Sequence, residues 1–295
     1  PVDISVPAPD TGEESSSEAT LAGTPAAQAV VLYVNRAGRT YLGANRDDPA
    51  KGTSFIVARY GSDRIDFPAA NYSEAEWAEI MGIVRGYFVP YAIDVTDTRP
   101  ASGVYTEIAV GDTYSSVLGA GLGRNTVGIA PVGPCRPAKN SVGFVFTKLY
   151  DGRRGRDLRG VAETIAHEAG HTLSLSHMAL ASDLMSYSPT SAGKKFQDAV
   201  AACGPNASTP QACSCPGKTT QNSHGQLLAA VGPRGAAPPA PPPAPPPGPG
   251  ADRAAPVVSF VAPAESATLP ANSTIEVSAE AQDDVGVTSL ELFWQ

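Results

Sequence analysis

Positive charge is scarce in this chain: 21 Lys and Arg stand against 29 Asp and Glu in 295 residues, a formal net charge of −8. Phosphate backbones are held by clustered Lys and Arg, so this balance argues against nucleic acid as a partner. The one basic cluster, Arg153, Arg154, Arg156 and Arg159, falls in a loop and reads as a solvated turn. No run of about 18 apolar residues is present, so no segment reads as a membrane span. No signal peptide is visible; a chain starting at Pro1 without Met reads as mature or trimmed. Charged residues make up only 17%, below the usual quarter, partly because 28 Pro and 29 Gly dilute them. What remains is 42% hydrophobic, enough for a packed core in one mid-sized domain with appendages.

Cysteine is limited to Cys135, Cys203, Cys213 and Cys215. A bridge between Cys213 and Cys215 would be strained. Two pairings remain open: 135–213 with 203–215, or 135–215 with 203–213. An even count suits disulfides and an oxidising, extracellular setting. The Cys-x-Cys spacing is tighter than zinc motifs normally use.

Residues 1–27 are rich in Ser, Thr, Ala, Pro and acidic side chains and carry no apolar period, as in TGEESSSEAT. They read as a disordered segment, a propeptide remnant or linker. Order is expected over 28–232. AVVLYVNR reads as a buried strand, and NRDDPAKGTS as a polar loop. Ser73 and Glu76 form a capping-box pattern ahead of Trp77, Ile80, Met81, Val84 and Phe88, which recur at helical spacing. Strands are expected at 92–95, 105–110, 126–132 and 142–149, then a second helix. This order predicts an α/β or α+β domain built on a mixed sheet. Residues 233–252 are dominated by Pro, Ala and Gly and read as a semi-rigid polyproline spacer. Beyond it, PVVSF, STIEVSAEA and VTSLELFW read as strands. Residues 253–295, above all DDVGVTSLELFW, resemble part of a bacterial immunoglobulin-like module, since a whole sandwich needs about 100 residues.

Histidine is equally sparse, yet three of the four lie in HEAGHTLSLSH, residues 167–177. His167 and His171 are four apart, about 40° around a helix, so both imidazoles can reach one ion. Val161, Ala162, Ile165, Ala166, Ala169 and Leu173 fall on the opposite side, an apolar stripe suited to packing on a sheet. Neutral imidazole suits Zn²⁺, and a catalytic zinc takes three protein ligands and keeps one position for water. His177 can be the third only if the helix breaks near Ser174 and the chain turns back. Glu168 points away from the ligand direction and is suited to take a proton from a water acidified by the metal, from a pKa of 15.7 to about 7.

HEAGHTLSLSH followed by DLMSY resembles the metzincin clan of zinc metallopeptidases, whose pattern is H-E-x-x-H-x-x-G-x-x-H with a downstream Met-turn. The resemblance spans roughly 28–232, but only 167–187 is specific. It implies a mostly parallel mixed sheet with an active-site helix and a Met-turn. It also implies zinc on His167, His171 and His177, Glu168 as catalytic base, and Met185 as the apolar floor beneath the histidines. Tyr187 would correspond to the tyrosine that binds the metal or steadies the tetrahedral intermediate. The clan's glycine is Ser174 here, and serine in a left-handed bend costs roughly 1 kcal/mol or more; Asp183 is the alternative third ligand. In the clan an edge strand pairs with extended substrate, and TVGIAPV is the candidate, with Cys135 placed to tether that rim to the C-terminal part of the domain. His224 reads as a surface residue, and Asp47, Asp48, Asp94 and Asp97 as loop acids without calcium-binding spacing. These features predict a secreted, monomeric zinc endopeptidase acting on protein or peptide substrates, with the C-terminal module directed at a surface or polymer. A catalytically inactive adhesion or matrix-binding protein is the alternative, and a hydrolase of non-peptide amides a third reading.

Overall fold

In the computed structural model the chain is described at residues 2–7, 30–60, 62–111, 125–137, 140–152, 155–188, 190, 193–205, 208–235, 257–262 and 277–283. It divides into two compact units, Pro1–Gly235 and Ala236–Gln295. The first is a mixed α/β unit. In chain order it contains β1 (Val2–Pro7), β2 (Val30–Asn35), β3 (Arg39–Gly43), β4 (Thr53–Ser54), α1 (Phe55–Arg59) and β5 (Arg64–Phe67). There follow α2 (Glu74–Phe88), β6 (Ile93–Thr96), β7 (Tyr105–Gly111), β8 (Thr126–Val132), β9 (Val142–Phe146), α3 (Leu158–Thr172) and α4 (Ser223–Val231).

The main sheet has the order β1-β8-β9-β7-β2-β6. Every neighbouring pair is parallel except β8 with β9. All residues of β7 and β9 are buried, because the sheet is covered on both faces. Alternation sorts the side chains. Ile108 and Val110 of β7, with Val145 of β9, join the core made with α2 and α3. Ala109, Val142, Phe144 and Phe146 face the other way, onto Tyr41, Ile56, Val57, Ile65 and Phe67.

That second layer is a small sheet of order β4-β3-β5 together with α1. It occupies part of the region read from the sequence as a polar loop. The loop reading holds over 45–52, and only Thr53–Ser54 of that stretch is strand; what differs is Asp47, an inward acid that accepts from the amides of Phe55 at 2.6 Å and Val142 at 3.0 Å, joining α1 to β9. Glu107, fully buried on β7, makes a similar link. It accepts from Asn35 Nδ2 at 2.8 Å, the Tyr41 hydroxyl at 2.6 Å and Arg39 Nη1 at 3.2 Å. A carboxylate this deep is tolerable only with its partners in place.

Burial raises the pKa of Asp47 from 3.8 to about 6. Between those values the folded protein binds more protons than the unfolded chain, so Asp47 makes stability fall as pH rises from about 4 to 6. The expected loss is on the order of 3 kcal/mol. Denaturant melts across that window should show the decline in the parent chain and a flatter curve in Asp47→Asn; identical curves would remove Asp47 as its source. The other loop acids are paired with protein groups: Asp48 with Lys51, Asp94 with Arg234, and Asp97 with Arg85 and the Trp77 indole. Arg156 of the basic cluster pairs with Glu76 and Asp151; Arg153 and Arg154 lie outside the described residues.

α2 starts on the expected capping box, Ser73 with Glu76, and buries Trp77, Ile80, Met81, Val84 and Phe88. α3 buries the stripe read from the sequence. The structure differs at the start of the chain: Val2–Pro7, inside the 1–27 segment expected to lack order, is a strand paired with β8. Residues 8–27 of that segment lie outside the described residues, as do 28–29 and most of the 233–252 spacer. Among the described residues no helix is long and apolar enough to cross a membrane.

The cysteines form Cys135–Cys215 and Cys203–Cys213, which selects one of the two open pairings. The first ties the loop after β8 to the C-terminal part of the unit. The second unit contains an antiparallel pair, Val257–Ala262 with Ser278–Gln282. The strand expected at VTSLELFW lies outside the described residues.

Candidate metal centre

His167 and His171 project from the last two turns of α3, and the helix then stops within one bend. The Leu175 amide reaches back to the Gly170 carbonyl and the Ser174 amide to that of His171, both at 2.9 Å. These two bonds form a Schellman end, with Ser174 left-handed at φ 72°. Glycine is the usual residue at such a position because a Cβ is crowded there. Here the serine side chain offsets the penalty by donating to the Arg136 carbonyl. The Ser174 carbonyl accepts from Gln226 Nε2 at 2.7 Å and from the Ser214 hydroxyl. The chain thus reverses as the sequence required, without the clan's glycine.

The reversal returns His177 to the helix. One ligand nitrogen from each of His167, His171 and His177 lies within 4.8 Å of the others. The Nε2 atoms of His171 and His177 are 3.0 Å apart; two nitrogens bound tetrahedrally to one zinc span about 3.3 Å. His167 Nδ1 lies 2.6 Å from the Leu184 carbonyl, and His171 Nδ1 lies 2.7 Å from that of Leu175. A carbonyl only accepts, so both Nδ1 atoms carry the proton, which makes Nε2 the nitrogen that each ring would offer to an ion. A three-imidazole donor set with two of its tautomers fixed in this way fits zinc.

His177 is held through its neighbours. The side-chain amide of Gln221 donates to the Ser176 carbonyl at 2.9 Å and accepts from the Ser176 amide at 2.8 Å. The His177 carbonyl accepts from the Gly204 amide at 2.9 Å, beside Cys203. Gln221 carried no signal in the sequence, because its role depends on a contact 45 residues away.

Glu168 is fully buried. Its carboxylate lies against Gly128 of β8, where a Cβ would stand 1.9 Å from Oε1. Gly170 has a matching role on α3: a Cβ there would meet Met185 Sδ at 2.6 Å. Both glycines clear space for a neighbouring functional side chain. A glycine inside a strand run such as TVGIAPV is compatible with such a close approach but does not say which side chain makes it.

Met185 is fully buried next to the ligand helix, in a turn ordered by Asp183. Asp183 accepts from the amides of Met185 and Gln197, each at 2.8 Å, and from the Ser223 hydroxyl. Burial raises its pKa. It is not in the group of side chains that could hold an ion, which is the set with His177 and not the alternative with Asp183. Tyr187 lies beside the imidazoles, its ring centroid 4.4 Å from that of His177 and 6.1 Å from that of His167. His224 stands apart from this cluster, hydrogen-bonded to the Tyr91 hydroxyl at 2.8 Å and half-buried rather than on the surface.

Compared with known families, residues 256–295 match a family model described as a bacterial Ig domain. No curated protein matches the chain. The Ig match and the two disulfides are consistent with an extracellular protein.

Proposed function

We propose that this chain is a secreted zinc-dependent endopeptidase of metzincin type, with Glu168 as its catalytic base. The observation that carries the reading is the convergence of three imidazole nitrogens within 4.8 Å, two of them with tautomers fixed by backbone carbonyls. Bound there, zinc would supply Lewis acidity toward the scissile carbonyl and bring the pKa of a water close to neutrality.

The chain's own residues do the rest. His167, His171 and His177 hold and orient the ion. Glu168, next to His167 in sequence and enclosed by Gly128, takes a proton from the attacking water and passes it to the leaving amine. Tyr187, beside His177, has a phenol able to donate to the oxygen on which charge develops. β8, expected from the sequence to be the edge strand that pairs with substrate, is instead flanked by β1 and β9, so it has no open edge to offer a peptide. Of the alternatives, a purely adhesive protein has no use for a fully buried carboxylate next in sequence to one of three converging imidazoles.

Purified protein should contain about one zinc per chain and should cleave unfolded protein, and o-phenanthroline should abolish that cleavage. A chain that takes up no zinc even after supplementation would remove the basis of this reading.

A further inference from the structure

His167 and His171 share a device one bond beyond the carbonyls that fix their tautomers. The Leu184 carbonyl at His167 Nδ1 belongs to the same peptide group as the Met185 amide, and that amide donates to Asp183 Oδ1 at 2.8 Å. The Leu175 carbonyl at His171 Nδ1 shares its peptide group with the Ser176 amide, which donates to Gln221 Oε1 at 2.8 Å. In a trans peptide the C=O and N–H point in opposite directions from one rigid plane. Each imidazole is therefore joined, through a single peptide group, to the side-chain oxygen of a third residue. The two chains differ in charge: one ends in the amide of Gln221, the other in the carboxyl group of Asp183.

An aspartate that accepts from the amide two residues on is by itself an ordinary turn contact. Asp183 is held from further away as well. It is fully buried, and its Oδ2 accepts from the Gln197 amide at 2.8 Å and from the Ser223 hydroxyl, 14 and 40 residues distant. These bonds all run toward the carboxyl group, so the ionised form is the one they satisfy. Hydrogen bonds in series polarise one another, most strongly where water is excluded. Negative charge at the N–H end of a peptide raises electron density on its carbonyl oxygen, and with it the basicity of an imidazole bonded there. We propose that Asp183 is a positioning residue of the metal centre, which aims His167 and strengthens its Nε2 as a donor through the Leu184–Met185 peptide group. Gln221 aims His171 in the same way without the charge, so the two helix ligands are of unequal strength. The inference rests on the three-imidazole zinc site and not on what that site cuts.

The test compares the full chain with its Asp183→Asn and Gln221→Met variants by NMR of ¹⁵N-labelled protein and by zinc titration against a competing chelator. In the metal-free state the His167 Nδ1 proton should move upfield in Asp183→Asn while that of His171 keeps its place. Gln221→Met should do the reverse. A general loosening of the site would move both protons in both variants. Asp183→Asn should also raise the Kd for zinc about tenfold. Should that variant fail to fold, the parent decides: on zinc loading the Met185 amide proton should move downfield, and further than that of Leu184, whose N–H lies outside the chain of bonds. A Met185 amide that zinc leaves in place, ring protons that shift together, or an unchanged Kd in folded Asp183→Asn each overturns the inference. Zinc bound with these signatures but no peptide cleaved overturns the peptidase reading alone. A parent that takes up no zinc removes the metal site and the strengthening with it, while the metal-free ring protons still decide whether Asp183 and His167 are coupled.

Discussion

Replacing Glu168 with alanine is expected to lower kcat/KM on an unfolded protein by about a thousandfold, with zinc still bound at one ion per chain. The two readouts separate because the carboxylate is not one of the three converging ligand atoms. Its loss removes the proton acceptor and leaves the imidazoles on their backbone carbonyls. Gly128→Ala should reach a similar result from the opposite side, with activity reduced by at least tenfold and zinc retained. The added methyl carbon would fall on the Glu168 carboxylate and force it out of position. Metal analysis beside steady-state kinetics on both variants checks the pair. Full turnover in Glu168→Ala would assign the proton transfer to another group.

Removing the Cys135–Cys215 bridge should cost about 4–5 kcal/mol, against about 2–3 kcal/mol for Cys203–Cys213, if loop entropy in the unfolded chain dominates. The difference follows from their sequence separations of 80 and 10 residues. The larger bridge also fixes the loop after β8 to the region that steadies His177, so Cys135→Ser/Cys215→Ser should weaken zinc affinity more than Cys203→Ser/Cys213→Ser. Denaturant melts and competitive zinc titration of the two double variants check this. Equal destabilisation would mean that native contacts, rather than loop closure, set the contribution of the bridges.

Local features of the fold were legible wherever the signal is local. The capping box of Ser73 and Glu76, the helical spacing of Trp77 to Phe88 and the span of β8 depend on near neighbours, and the structure bears them out. The same holds for the two faces of α3, since a 3.6-residue period sends the histidines and the apolar stripe in opposite directions. The second layer was not legible. β3 and β5 are short, and Asp47 and Arg39, which help fix that layer to the main sheet, look like ordinary loop charges until their partners are known. β1 was missed for a similar reason: VDISVP adjoins a low-complexity stretch and gains its strand character from the edge of β8. At the site, residues 167–187 named the side chains that converge, while Gln221 and Gly128, which position them, act across contacts that no local pattern encodes.

Ser174 changes the mechanics of the site. A glycine at that bend would act as a loose joint between the helix and the strand of chain that follows. The serine turns it into a rigid bracket, bolted to Arg136 on one side and to Ser214 and Gln226 on the other. The stretch that returns His177 to the helix is thereby fastened to the loop that follows β8, so neither can shift without the other.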